Sequence, residues 1–173
     1  MNLKQIIREI PDFPKKGISF KDITTLVNDP AAFNEAIDWM VSLYKGQKID
    51  RVIAVESRGF IFGAPLALRL NAGMVLVRKK GKLPADTISV KYELEYGEDE
   101  LEMHRDAVGS EENVIIVDDL LATGGTTKAV VELMTKVPAR IAGICVLIEL
   151  NGLKGRDRLS PYHVESLIQF DEV

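Results

Sequence analysis

The chain has 173 residues, 28% of them charged and 46% hydrophobic, with a formal net charge of −4. That length suits one domain with a full core, and the composition is that of an ordinary globular protein. The acidic balance excludes non-specific binding to nucleic acid, which needs a basic surface. The single cysteine, Cys145, lies in an apolar run, so it is read as a core residue. No internal disulfide is possible, and a reduced, cytoplasmic setting is expected. No leader is expected either, because Lys4, Arg8 and Glu9 interrupt the first apolar residues. The longest apolar run, residues 60–68, is too short to cross a bilayer, so no membrane partner is expected.

In chain order, Leu3, Ile6, Ile7 and Ile10 recur at helical spacing, and Pro11 ends the predicted helix. Pro14, Lys15, Lys16 and Gly17 read as a loop. Pro30 opens a helix with Phe33, Ile37, Met40, Val41 and Tyr44 on one face, closed by Gly46. Trp39 on that helix is read as packing. A strand follows over Arg51–Val55, a turn over 56–59 and a helix over 60–70. Residues 73–77 form the next predicted strand, and 87–94 look extended, with 101–104 pairing back after a turn at 96–99. Four β-branched residues, Val114 to Val117, make a strand that is apolar on both faces and belongs inside a covered sheet. A helix-forming run occupies 128–136, and strands at 141–148 and Val164–Phe170 complete the chain. Strands alternating with helices predict an α/β fold with a mainly parallel sheet flanked by helices. Ligands bind beyond the carboxyl ends of such strands. The polar turns 56–59, 78–84 and 118–127 are therefore expected to converge on one cleft.

The most informative stretch begins where the strand at 114–117 ends. Asp118 and Asp119 stand at its tip, then Leu120, Leu121, Ala122, Thr123, Gly124, Gly125, Thr126 and Thr127 lead to a helix. A helix start offers unpaired N–H groups and the positive end of the helix dipole to an anion. Glycines let the backbone approach closely, and the threonines add hydroxyl donors. The carboxylates cannot hold a phosphate, but they suit sugar hydroxyls and a nearby cation. Strand, acidic pair, glycine turn and helix start thus read as a site for a phosphorylated sugar. Asp and Thr are also common as simple helix caps, though that reading does not need the full ordered string.

Three further segments carry charge. Ser57 and Arg58 follow a buried strand; Arg58 suits a diphosphate, and equally a surface arginine beside a capping serine. Arg78, Lys79, Lys80 and Lys82 repel one another unless an anion offsets them, although charge runs are usually solvated loops. Tyr92, Glu93, Leu94, Glu95, Tyr96 and Gly97 alternate carboxylates and aromatics beside a turn. Glu95 would serve as a general acid or base if a closing loop buried it, while an ordinary two-sided hairpin explains the pattern as well. P-loop and dinucleotide fingerprints, clustered metal ligands and a nucleophile elbow are all absent from the sequence.

Together these segments resemble the purine phosphoribosyltransferases, and within that family the enzymes that use adenine. The residues that carry the resemblance run from about Pro11 to Leu150. They are the Val-Asp-Asp-Leu-Leu-Ala-Thr-Gly-Gly-Thr string from Val117, Gly17 to Ile23, Ser57 to Phe60, Arg78-Lys79 with Gly81-Lys82-Leu83-Pro84, and Leu94-Glu95-Tyr96-Gly97. The resemblance implies a single type I domain over 1–173, with a small N-terminal hood and a flexible lid loop, for which 83–103 is the candidate. It implies purine salvage: adenine and phosphoribosyl pyrophosphate give AMP and pyrophosphate with Mg²⁺, in a cytoplasmic homodimer. By resemblance, Ala122, Thr123, Gly124, Gly125 and Thr126 cradle the 5′-phosphate, while Asp118 and Asp119 address the ribose hydroxyls. Ser57, Arg58, Arg78, Lys79, Lys82 and His104 match positions near the diphosphate, and the resemblance implies that some of them act across a subunit boundary. Phe20 and Lys21 match the positions that hold the base, and Lys21 departs from the arginine of many relatives. Glu95 matches the residue that exchanges a proton with N7, so Glu95, Arg58 and Arg78 are the catalytic candidates. Magnesium is expected mainly on the substrate, with Asp118 and Asp119 nearby. A sister enzyme for a 6-oxopurine and a non-catalytic phosphoribosyl pyrophosphate sensor are the alternatives.

Overall fold

The computed structural model describes residues 1–93 and 97–171. In order, the elements are α1 (Leu3–Ile6), β1 (Arg8–Ile10), β2 (Phe20–Asp22), α2 (Thr24–Val27), α3 (Pro30–Leu43), β3 (Arg51–Val55), α4 (Gly59–Leu70) and β4 (Gly73–Lys79). They continue with β5 (Thr87–Glu93), β6 (Glu98–His104), β7 (Asn113–Leu121), α5 (Gly125–Thr135), β8 (Arg140–Leu150) and β9 (Val164–Phe170). Two 3₁₀ turns, Asn151–Leu153 and Gly155–Leu159, lie between β8 and β9.

Seven strands form one sheet in the order β5-β6-β4-β3-β7-β8-β9. β4, β3, β7, β8 and β9 run parallel, and β6 and β5 add an antiparallel hairpin at one edge. The mainly parallel α/β architecture expected from the sequence is therefore present. Successive side chains of a strand point to opposite faces, and here each face has its own core. Val52, Ile115, Val117 and Leu147 pack with α3 and α4, while Ile53, Val55, Val114 and Ile116 pack with α5. Covering both faces is what makes the continuous apolar run of β7 stable. Helix α3 starts because Asp29 Oδ1 accepts the N–H groups of Ala31 at 2.9 Å and Ala32 at 3.1 Å, with Pro30 at the first helical position.

Four sequence expectations need correction. The N-terminal helix stops at Ile6; Arg8–Ile10 instead pairs antiparallel with Phe20–Asp22, making the hood. Arg8 reaches Asp22 across that pair at 2.6 Å. The hydroxyl and N–H of Thr24, followed by Arg8, hold the Asp22 carboxyl down to about 2. Strand β7 does not end at Val117 but runs through both aspartates to Leu121, because β8 pairs with it that far. Helix α5 starts at Gly125, three residues before the run expected from propensity. Finally, most of the segment expected as a lid loop is the β5–β6 hairpin, with Ile88, Val90, Leu101 and Met103 buried in the core.

Candidate active site

The carboxyl ends of β3, β4 and β7 open into a cleft of about 600 Å³, an ordinary size for a small-molecule site. The three expected turns meet there: Ser57 and Arg58 come from the first, Lys79 and Lys82 from the second, and 118–127 from the third.

The third turn is built from backbone. Gly124 has φ +81°, a left-handed conformation that favours glycine, and it stands at the N-cap of α5. No side chain caps this helix start. Its first N–H groups therefore remain available to a ligand beside Ala122, Thr123, Gly125 and Thr126, which line the cleft. Upstream, Asp118 and Asp119 are both buried yet reach the cleft. Asp118 Oδ1 accepts the Asp119 N–H at 2.8 Å, and Asp119 Oδ2 accepts Arg58 Nε at 2.5 Å. Burial, reinforced by the neighbouring Asp119 charge, pushes the Asp118 carboxyl well above the usual carboxylate range.

The opposite wall is built from ion pairs. Glu56, at the end of β3, accepts the Lys79 N–H at 2.6 Å and faces Arg78 and Lys82, each at 3.2 Å. Burial pushes the Glu56 carboxyl up, but the Lys79 N–H and the two cations outweigh it and hold the group below its ordinary value. Lys79 Nζ pairs with Asp99 of β6 at 2.9 Å. Burial raises the phenol of Tyr92 on β5, beside Asp99 and Thr126. Each cation of this wall thus already has an anionic partner, and an incoming diphosphate would exchange for it. That requirement matches the concentration of positive charge read from the sequence.

The other expected residues stand outside the lining of this cleft. Arg78 is one layer back, on Glu56. His104 Nε2 accepts the Ala85 N–H at 3.3 Å. Phe20 packs edge-on against Phe13, and Arg58 Cζ lies 5.8 Å from its ring, so the hood meets the cleft at Arg58. The Lys21 side chain turns away: its ammonium bonds Glu9 and Ser19 and sits 4.4 Å from the Phe170 ring centroid. Glu95 lies outside the described residues. Sequence reasoning missed Leu120, an apolar wall of the cleft, and Glu56 as the hub of the cation cluster. The signal for Glu56 was a lone acid one strand away from four cations. Among the described residues no group of three metal-ligating side chains forms.

The fold and this site define a pentose-phosphate transfer domain, and comparison agrees. A family model described as phosphoribosyl transferase domain matches residues 22–173. An adenine phosphoribosyltransferase of Halothermothrix orenii is 56% identical over 169 residues, covering 98% of this chain and 99% of that one. The crystal structure of the adenine phosphoribosyltransferase of Thermoanaerobacter pseudethanolicus superposes with a TM-score of 0.93 at 54% identity, covering 97% and 98% of the two chains. The Saccharomyces cerevisiae enzyme, complexed with adenine and an imino-altritol bisphosphate, superposes at 0.90 with 40% identity, covering 95% and 96%. The chain belongs to the phosphoribosyltransferase family, and within it to the adenine phosphoribosyltransferases.

Proposed function

We propose that this cleft moves the 5-phosphoribosyl group from phosphoribosyl pyrophosphate to adenine, giving AMP and pyrophosphate in purine salvage. The observation that carries the reading is the meeting of an uncapped glycine-turn helix start with a cation wall across one 600 Å³ cleft. One side suits the 5′-phosphate and the other the diphosphate, with the buried aspartates between them for the ribose hydroxyls.

The chemistry follows from that placement. The C1′–O bond breaks with its electron pair leaving on the diphosphate, while N9 of adenine bonds to C1′. Arg58, Lys79 and Lys82, with Arg78 behind them, offset the charge that grows on the leaving group in a prearranged site. Asp119, held by Arg58, couples the sugar side to the diphosphate side. Adenine must shed a proton as it bonds, and Glu95 is the acceptor by family resemblance. In support, the Glu93 carbonyl lies 3.9 Å from where a Cβ on Gly125 would sit, so the hairpin end adjoins the phosphate turn. Phe20 and the Lys21 backbone, with Leu120, supply the base wall.

Two carboxylates fit a magnesium ion that keeps mainly substrate and water ligands, not a protein cage. Asp119, with Asp118 beside it, would face such an ion held mainly by the substrate, and when bound it would neutralise diphosphate charge. Ile61, Leu68 and Leu76 are large apolar side chains left exposed on α4 and β4, Leu68 at 83%. They support a homodimer through that side. No helix among the described residues is long and apolar enough to cross a membrane. With the single cysteine buried and free, a cytoplasmic setting suits the chain. To test the function, the protein is mixed with Mg²⁺ and phosphoribosyl pyrophosphate, each free base is offered in turn, and diphosphate release is measured. Adenine alone should give turnover; release with hypoxanthine or guanine at a comparable rate would overturn the assignment.

A further inference from the structure

The segment between β8 and β9 touches the phosphate turn from outside the cleft. Gly155 is buried there. A Cβ added to it would overlap the carbonyl oxygen of Ala122 and stand 2.9 Å from the Gly124 nitrogen. Conversely, a Cβ on Gly124 would stand 2.5 Å from the Gly155 oxygen. Two backbones are thus in direct contact, with no space for any side chain between them.

The next residue fixes that contact. Arg156 Nε and Nη2 hold the two oxygens of Glu149 at 2.9 and 2.5 Å, and its Nη1 donates to the Val164 carbonyl. Ser166 donates to Glu149 at 2.6 Å. Glu149 is buried near the end of β8 and stands in register with Leu121, the last residue of β7 before the turn. A planar guanidinium held by a bidentate carboxylate is a geometrically specific clamp. It ties the 155 segment to the end of the same strands that launch the turn.

We propose that Gly155 and Arg156 are positioning residues for the sugar 5′-phosphate. They press the 122–126 turn into its ligand-ready shape from behind without touching the ligand. This rests on the reading of that turn as the phosphate cradle. A displaced turn loses charge-assisted hydrogen bonds to the phosphate, and losing one or two of them weakens binding by about 10–100-fold.

The test compares AMP with adenosine, which lacks the phosphate, by calorimetry on Gly155→Ala, Arg156→Gln, Arg156→Lys and Gly125→Asp, which sets a carboxylate on the helix start where a Cβ meets nothing nearer than 3.8 Å. Gly155→Ala should raise the AMP Kd about 10–100-fold and leave the adenosine Kd within about twofold, with Arg156→Lys closer to wild type than Arg156→Gln. If Gly155→Ala does not fold, Arg156→Gln carries the test: a purely structural role lowers the binding-competent fraction and leaves the AMP Kd unchanged, which overturns the proposal. Wild-type AMP affinity in both the Gly155 and Arg156 variants, with AMP lost in Gly125→Asp, also overturns it while the cradle stands. Wild-type AMP affinity in Gly125→Asp removes the cradle itself.

Discussion

The two walls of the cleft hold anions by different means. The 122–126 wall is backbone: a left-handed glycine, an uncapped helix start and a second backbone pressed behind it. The wall made by residues 56–58 and 78–82 is side chains, each cation paired with Glu56, Asp99, Glu100 or Asp119. A backbone wall is set before the ligand arrives, since its groups have nowhere else to point. A side-chain wall must exchange one anion for another, so its affinity is a difference between two ion pairings. Such a difference depends on charge and ionic strength more than on shape.

Arg58 belongs to both walls through Asp119, so its loss should have the largest effect. Arg58→Ala should lower kcat with adenine by about 10²–10³-fold, the cost of removing one prearranged donor, while also leaving Asp119 buried and unpaired. A fall below about tenfold in steady-state kinetics would make Arg58 peripheral to both walls. Gly124→Ala attacks the backbone wall alone. With φ +81° and the Gly155 oxygen in the way, the AMP Kd should rise about 10–100-fold as one or two hydrogen bonds to the phosphate are lost. Inhibition by diphosphate should be untouched, which a competition assay reads. Lys82→Ala attacks the other wall. Diphosphate binding should weaken about tenfold, roughly 1.5 kcal/mol for one charge-assisted bond, with AMP affinity unchanged.

The smallest effect concerns stability. Asp118 has a raised folded-state pKa from burial and the Asp119 charge. Its native carboxyl therefore keeps a proton that the unfolded chain releases. Its contribution favours folding below the ordinary carboxylate pKa and is lost as pH rises through the folded value. Asp118→Asn, which keeps the oxygen that accepts the Asp119 N–H, should raise stability at neutral pH by about 0.5–2 kcal/mol at the expense of turnover. Thermal unfolding at several pH values checks this, and the gain should vanish on acidification. Glu56 has the opposite sign. Its lowered pKa stabilises the fold above the ordinary carboxylate value, and that contribution is lost as pH falls through the folded value.

The contrast between the walls also explains what was legible in the sequence. The backbone wall is local: β-branched residues, glycines and threonines lie consecutively, so their order alone marked Asp118 to Thr126. Even there, the end of β7 was misread, since two aspartates suggest an emerging strand until β8 pairing and Arg58 are known to satisfy them. The cations of the side-chain wall were visible, but their partners were not. Glu56–Lys82 and Lys79–Asp99 join different strands, and pairing at that distance follows only from sheet order. The N-terminal segment failed for another reason. Ile6, Ile7 and Ile10 fit helical spacing, while pairing with Phe20–Asp22 drew Arg8–Ile10 into a strand. The Glu149–Arg156–Ser166 clamp left no sequence signal, because it forms between the end of β8, a 3₁₀ turn and β9.

The division of labour between the walls is tested most directly by the salt dependence of binding. AMP and diphosphate affinities are measured by calorimetry from low to high ionic strength on the unaltered protein. The diphosphate should weaken steeply as its cations are screened, and AMP, seated on backbone N–H groups, should weaken much less. Equal slopes for the two ligands would contradict the account.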